Sequence, residues 1–237
     1  MTDTETTAQA DSQSSALSQL VNLFVAPSQA LDYADRHPKM WWLPLGITLL
    51  FSIALGLWFM LSVDMNAWRT MMVHVLSQTH PEAVSRIAHM GRGTLLFGVV
   101  GGAIAIVILE LLYALYLFLA DKLFSASNQG YGRWFSFTTW TWLPISLAYI
   151  AGMIAWAFAN HSTDLRLSDI TSLNSLLFHF SPASHFFAAT QFSVINIWVI
   201  ALVTLGLQRW RGHGTGKAIG IAIAPYVVYY GIRLVTG

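Results

Sequence analysis

The chain has 237 residues, 55% of them apolar and 10% charged, with a formal net charge of +1 and no cysteine. A soluble domain carries about a quarter of charged residues, so this composition excludes an ordinary water-facing surface, and the near-neutral balance excludes a nucleic-acid binder, which needs a concentrated basic face. Without cysteine there are no disulfides, thiolate metal sites or cysteine nucleophiles.

Residues 1–15 are rich in Thr, Ser, Gln and acids and read as a disordered tail. A cleavable signal peptide is basic and then apolar, which this tail is not, so the first span is expected to act as its own insertion signal. Over 16–40 two short interfacial helices are expected. Leu17, Leu20, Val21 and Phe24 stand at the i, i+3, i+4, i+7 spacing of one helix face. Pro27 suits the first turn of a second helix, and His37-Pro38 ends it. The apolar face can lie among lipid headgroups or pack on the end of a bundle, and the spacing is compatible with both.

A bilayer core about 30 Å thick takes roughly 20 apolar residues to cross as a helix. Five runs answer to that length: 43–63, 94–120, 134–159, 186–207 and 218–235, which make 41–237 a membrane domain. Glu110 and Arg233 are the formal charges inside them. Trp41 and Trp42 open the first span, as interfacial aromatics do, and Asp64 closes it. In the next loop Met65, Trp68, Met71, Met72 and Val75 share one helix face, and Pro81 starts a shorter turn ending near Gly91. Before the fourth span Ser168 can cap a helix carrying Ile170, Leu173, Leu177 and Phe180 on one side, and Ser181-Pro182 leads into the span. Both loops read as surface-lying helices. The expected fold is all-α, a polytopic bundle of five transmembrane helices with short amphipathic helices at the interface.

Lysine and arginine in the loops set orientation. With five spans the N-terminal side carries Arg36, Lys39, Lys122, Arg133, Arg209, Arg211 and Lys217, against Arg69, Arg86, Arg92, Arg166 and Arg233 opposite. That bias puts the N-terminus in the cytoplasm and the C-terminus across the membrane. The loop 212–216 reads as a tight basic turn near anionic lipid heads.

The stretch 135–144 (FSFTTWTWLP), then 192–198 (FSVINIW), Leu205-Gly206-Leu207 and Gly216-Lys217-Ala218, together with Phe24–Pro27 and Pro38, resembles the Yip family of Ypt/Rab-interacting membrane proteins and their bacterial relatives. The likeness runs from about residue 20 to the C-terminus. The eukaryotic motif Asp-Leu-Tyr-Gly-Pro is absent, so the resemblance points to the bacterial branch and a bacterial inner membrane, and away from a bound Rab-type GTPase. It implies five spans, a cytoplasmic N-terminus and no catalysis; in the eukaryotic branch it implies a role in membrane traffic and organisation.

Glu110 is the residue with most chemical potential. An acid near the membrane middle costs at least ~2.5 kcal/mol on insertion, so it should face the bundle or a wet cavity and keep its proton unless a cation pairs with it. Tyr113 lies one turn away, and Thr138, Thr139 or Thr141 can come to similar depth. Glu110 is then either a proton or cation site or a polar clamp between helices. Asn196 and Gln191 read as interhelical ties, Arg233 snorkels to the interface, and Pro144 and Pro225 can kink their helices. Gly98-xxx-Gly102 and Gly216-xxx-Gly220 allow close helix approach, within a compact bundle or a dimer. His74, His80 and His89 are separated by six and nine residues, not the i, i+3 or i, i+4 of a metal helix, so neither metal nor cofactor is expected. Asn160-His161-Ser162 matches a glycosylation sequon by chance.

The resulting expectation is a non-enzymatic membrane scaffold or adaptor, in contact with the lipid bilayer and with other membrane proteins or a second copy of itself. The alternative is a small transporter or proton-coupled permease built on Glu110, Thr141 and Asn196.

Overall fold

A computed structural model describes residues 16–124, 129–159, 169–182 and 184–236. The expected tail at 1–15, the sequon at 160–162 and the cap at Ser168 lie outside the described residues. The helices are α1 (Ala16–Val25), α2 (Pro27–Arg36), a 3₁₀ turn (Pro38–Trp41) running into α3 (Trp42–Ser62), α4 (Met65–Thr79), α5 (Val84–Ala88), α6 (Arg92–Phe124), α7 (Tyr131–Trp142), α8 (Ile145–Phe158), a π-helical turn (Asn174–Phe178), α9 (Ile195–Arg211) and α10 (Thr215–Thr236).

Among the described residues four helical stretches are long and apolar enough to cross a membrane: Pro38–Ser62, Arg92–Phe124, Tyr131–Phe158 and Thr215–Val235. The expected span over 186–207 differs. Its helix, α9, begins only at Ile195 and runs on to Arg211, 17 residues or about 26 Å, and residues 184–194 are turns and irregular chain. The apolar run is as long as a span, but periodicity cannot tell a helix from an equally apolar hairpin. The expected helix before it contracts, among the described residues, to the single π-helical turn.

The core gathers around α7, where Trp134, Phe137 and Trp140 are fully buried. Phe137 and Trp134 pack with Leu117 of α6, Val203 and Leu207 of α9, and Ala222 of α10. A Cβ placed on Gly206 would come within 2.1 Å of the Phe137 ring, so this glycine lets α9 close onto the aromatic spine.

Among the described residues three ion pairs fasten the end of the bundle where α2 sits. Asp32 of α2 pairs with Arg209 of α9, Asp35 of α2 with Arg133 of α7, and Asp121 of α6 with Arg211 of α9. The basic turn expected to face lipid heads is therefore preceded by two arginines that aspartates already engage. α1 packs on the bundle mainly through a residue outside the expected face. Leu23 is buried with Leu143 and Leu202, and Leu20 packs beside them, while Leu17, Val21 and Phe24 stay exposed. At the opposite end α4 lies against the bundle through Trp68, Met65, Met71 and Met72, over Val63 and Trp156. Asp64 caps α4 by accepting from the N–H groups of Asn66 and Ala67. Arg92, read from the sequence as a loop charge, donates to the carbonyls of Met60, Leu61 and Val63 at the end of α3.

The ion pairs differ in burial. The Asp121 and Arg211 side chains are 0% and 13% exposed, whereas Asp32 and Arg209 are about two-fifths exposed. Removing one partner of a buried pair leaves an uncompensated charge and costs about 3–5 kcal/mol, while an exposed pair contributes ~0–1 kcal/mol. In thermal unfolding, Arg211→Met is expected to be the strongly destabilising change and Arg209→Met nearly neutral. Equal losses would show that burial does not separate them. Nearby, burial first and then Lys217 and Arg211 hold the His213 imidazole below its ordinary value of 6.5, with Asp121 opposing. The folded state thus takes up that proton less readily than the unfolded chain. Its contribution is complete above about pH 6.5 and declines as the pH falls towards the folded value. His213→Gln should flatten this small acid-side loss in a series of melting curves.

Candidate functional site

Glu110 sits on α6 with no exposed surface, and neither carboxylate oxygen has a hydrogen-bond partner among the described residues. Tyr113, the expected partner one turn away, points elsewhere: its hydroxyl lies 3.4 Å from the carbonyl of Ala222 and its ring 5.1 Å from Trp142. Two hydroxyls of α7 are likewise engaged by the backbone. Thr139 donates to Ser136 (2.8 Å) and Thr141 to Phe137 (3.0 Å), as hydroxyls in helices commonly do.

The same interior holds further buried polar atoms without a partner, among them Trp134 Nε1, Ser136 Oγ, Thr138 Oγ1, Trp140 Nε1 and Trp142 Nε1. All five lie on α7. From Ser136 to Thr141 every residue of this helix is buried, yet it is polar on several sides, an arrangement that protein groups alone leave unsatisfied. Pro144 then interrupts the stretch Tyr131–Phe158. Around it the amide bonds tighten to i→i−3, from Leu143 to Trp140, Ser146 to Leu143 and Leu147 to Pro144. Counting 1.5 Å per residue from the α6–α7 connection, Glu110 and this break both lie about 20 Å in.

Pro225 is handled differently, within a continuous α10. Its missing N–H leaves the carbonyl of Ile221 without its helical donor, and the Tyr116 hydroxyl supplies one at 2.8 Å. Asn196 occupies the first turn of α9 and is half-buried. No hydrogen bond joins it to Glu110 or Thr141 among the described residues, so the three residues of the transporter alternative do not form one bonded cluster.

The paired glycines face outward. At Gly98, Gly102, Gly216 and Gly220 an added Cβ would meet nothing within 4 Å, so neither motif brings two helices of this chain together. The close approaches fall on glycines that sequence reasoning passed over, Gly206 against Phe137 and Gly56 against Val99. Gly206 stood in the quoted Leu-Gly-Leu, but no spacing marked it as a contact. Gly98 and Gly102 instead line a groove of about 340 Å³ shared with Gly56, Ser52 and Tyr149.

The family model of the Yip1 domain matches residues 21–235. No curated protein and no solved structure matches the chain.

The Tyr116 hydroxyl is expected to matter only because of Pro225. Tyr116→Phe should destabilise the protein by about 1–3 kcal/mol, the range for leaving a buried carbonyl unsatisfied. In a Pro225→Ala background, where the substituted residue can donate its own backbone N–H, the same change should cost markedly less. A double-mutant cycle of unfolding free energies reads the coupling, and additive effects would show that the two features are independent.

Proposed function

Because the chain belongs to the Yip1 domain family, we propose that it is an integral membrane scaffold or adaptor of the Yip type that works through lateral contacts with other membrane helices. It is a multi-pass membrane protein, and the Yip1 family is not a family of enzymes. The observation that carries the scaffold reading is the outward placement of the two glycine pairs. In lipid, helix association relies on close packing at small residues, and Gly98, Gly102, Gly216 and Gly220 are left uncovered by this chain. The groove beside Gly98 and Gly102 adds concave shape to one of these faces. The expected setting is a bacterial inner membrane, with the N-terminal helices on the cytoplasmic side. The loop lysines and arginines support that orientation, and the missing eukaryotic motif supports the bacterial branch.

A second reading, a proton-coupled permease, draws on Glu110. A buried carboxyl group without a partner among the described residues in a membrane interior is where proton relays are found.

Co-isolation from native membranes in mild detergent, with partners identified by mass spectrometry, separates the two. The scaffold reading expects a stoichiometric partner or self-association that Gly98→Ile with Gly102→Ile reduces by at least tenfold, about 1.4 kcal/mol, while melting temperature is kept. Glu110→Gln should leave that association intact. Recovery of the wild type as a clean monomer, together with a proton flux in liposomes that Glu110→Gln abolishes, would replace the scaffold by the permease.

A further inference from the structure

Between Asp169 and Arg209 the chain contains no Asp, Glu, Lys or Arg, yet among the described residues only its second half forms a long α-helix. The first half, from Ile170 to Val194, folds back on itself. Thr171 and Leu173 on one limb share backbone hydrogen bonds with Val194 and Phe192 on the other, at 2.9 and 2.8 Å, and Asn174 N–H donates to the Thr190 carbonyl at 2.8 Å. Ser172 and Ser193 stand opposite each other as an antiparallel bridge. Asn174 is completely buried and closes the turn from inside. Its Oδ1 accepts from Phe180 N–H and from Thr190 Oγ1, and its Nδ2 donates to the Phe180 carbonyl.

The depth of this hairpin can be read against α10. His185 Nε2 lies 2.9 Å from the carbonyl of Leu234, near the end of that helix. Further along, the Tyr230 hydroxyl donates to the carbonyl of Gln191, and the Phe192 ring packs on Tyr226 and Tyr230. From Leu234 to Tyr226 is about 12 Å along the axis, all of it inside the candidate span Thr215–Val235. The hairpin therefore runs beside the last third of a membrane-crossing helix, at the end remote from α2. Asp169, at its start, is half-buried, and its carboxylate accepts from the N–H and hydroxyl of Thr171.

Irregular backbone is tolerated at membrane depth only when its polar groups are satisfied within the protein, which is what Asn174, Thr190 and the paired limbs accomplish. Meanwhile Leu177 is 67% exposed, and Leu176, Phe178 and Phe186 are each about half exposed. These side chains continue the apolar exterior of the spanning helices.

We propose that Ile170–Val194 is a membrane-embedded hairpin whose paired limbs lie deepest, at the level of Tyr226, and whose turn lies toward the surface remote from α2, with Leu176, Leu177, Phe178 and Phe186 in contact with lipid acyl chains. With α9, which alone is about 4 Å short of the hydrocarbon core, it completes a fifth crossing. The proposal does not depend on the scaffold reading.

The chain has no cysteine, so single cysteines can be introduced at Leu177 and Phe186 of the full-length protein, spin-labelled, and measured in phosphatidylcholine–phosphatidylglycerol vesicles. Leu112, exposed on α6, and Ser77, exposed on α4, serve as lipid and water references. Labels at both hairpin positions should favour oxygen over a water-soluble nickel chelate as Leu112 does, with nickel accessibility at least about fivefold below Ser77, as expected inside the hydrocarbon. Nickel accessibility equal to Ser77 would overturn the proposal by placing the hairpin in water. Protection from both reagents would overturn it in favour of a protein partner. If the label at Leu177 disturbs folding, Leu176 on the same turn is the second position. Loss of folding at both would also count against lipid contact, because a lipid-facing site accepts the label.

Discussion

In hydrocarbon no water is at hand to take an unpaired N–H or C=O, and the departures from regular helix in this chain come with protein groups that fill the gap. Pro225 removes a donor, and Tyr116 replaces it from the neighbouring helix. α3 ends with bare carbonyls, and the Arg92 guanidinium reaches back to three of them. The hairpin before α9 keeps a single π-helical turn and is held by the side-chain amide of Asn174. The irregularities thus lie where the sequence supplies a donor or acceptor of the right reach.

Against that background α7 is the exception. It lies at the centre of the core, and it carries indoles and hydroxyls whose hydrogen-bonding capacity other protein groups leave unmet. Glu110 on the adjoining helix adds a carboxyl group in the same condition. Polar atoms of this kind destabilise a bundle unless something other than protein answers them. Their concentration around one helix, at the level of the Pro144 break, makes this interior the chemically distinctive part of the molecule. The outward glycine faces are its distinctive surface, and the two features can be altered separately.

Much of the architecture was legible from composition alone. The runs at 43–63, 94–120, 134–159 and 218–235 each coincide for most of their length with a helical stretch long enough to cross, because about twenty apolar residues in a row admit few alternatives. The run at 186–207 was misleading for a definite reason: hydropathy measures where a segment can reside, not which hydrogen-bond pattern it adopts. Asn174 decides that pattern through contacts with Phe180 and Thr190, which no local period encodes. The ion pairs of Asp32 and Asp35 with arginines 177 and 98 positions away were hidden for the same reason. So was the fit of Gly206 to Phe137, whereas the G-xxx-G spacing, which is local, drew the eye to glycines that touch nothing in this chain.

The two aspartates of α2 reach to different helices, one to α9 and the other to α7, and Asp121 ties α6 to α9 as well. A short rod fixed at two points to separate uprights is a crossbar. It links α7 to α9 at that end of the bundle through two partly exposed pairs. At the remote end a histidine–carbonyl contact and a tyrosine hydroxyl join the hairpin to α10, while Arg92 and the packing of α4 over Val63 and Trp156 hold α3, α4 and α6 together. The two ends are thus held by different chemistry, carboxylate–guanidinium pairs at one and apolar packing with carbonyl contacts at the other, and dissolved salt screens only the first.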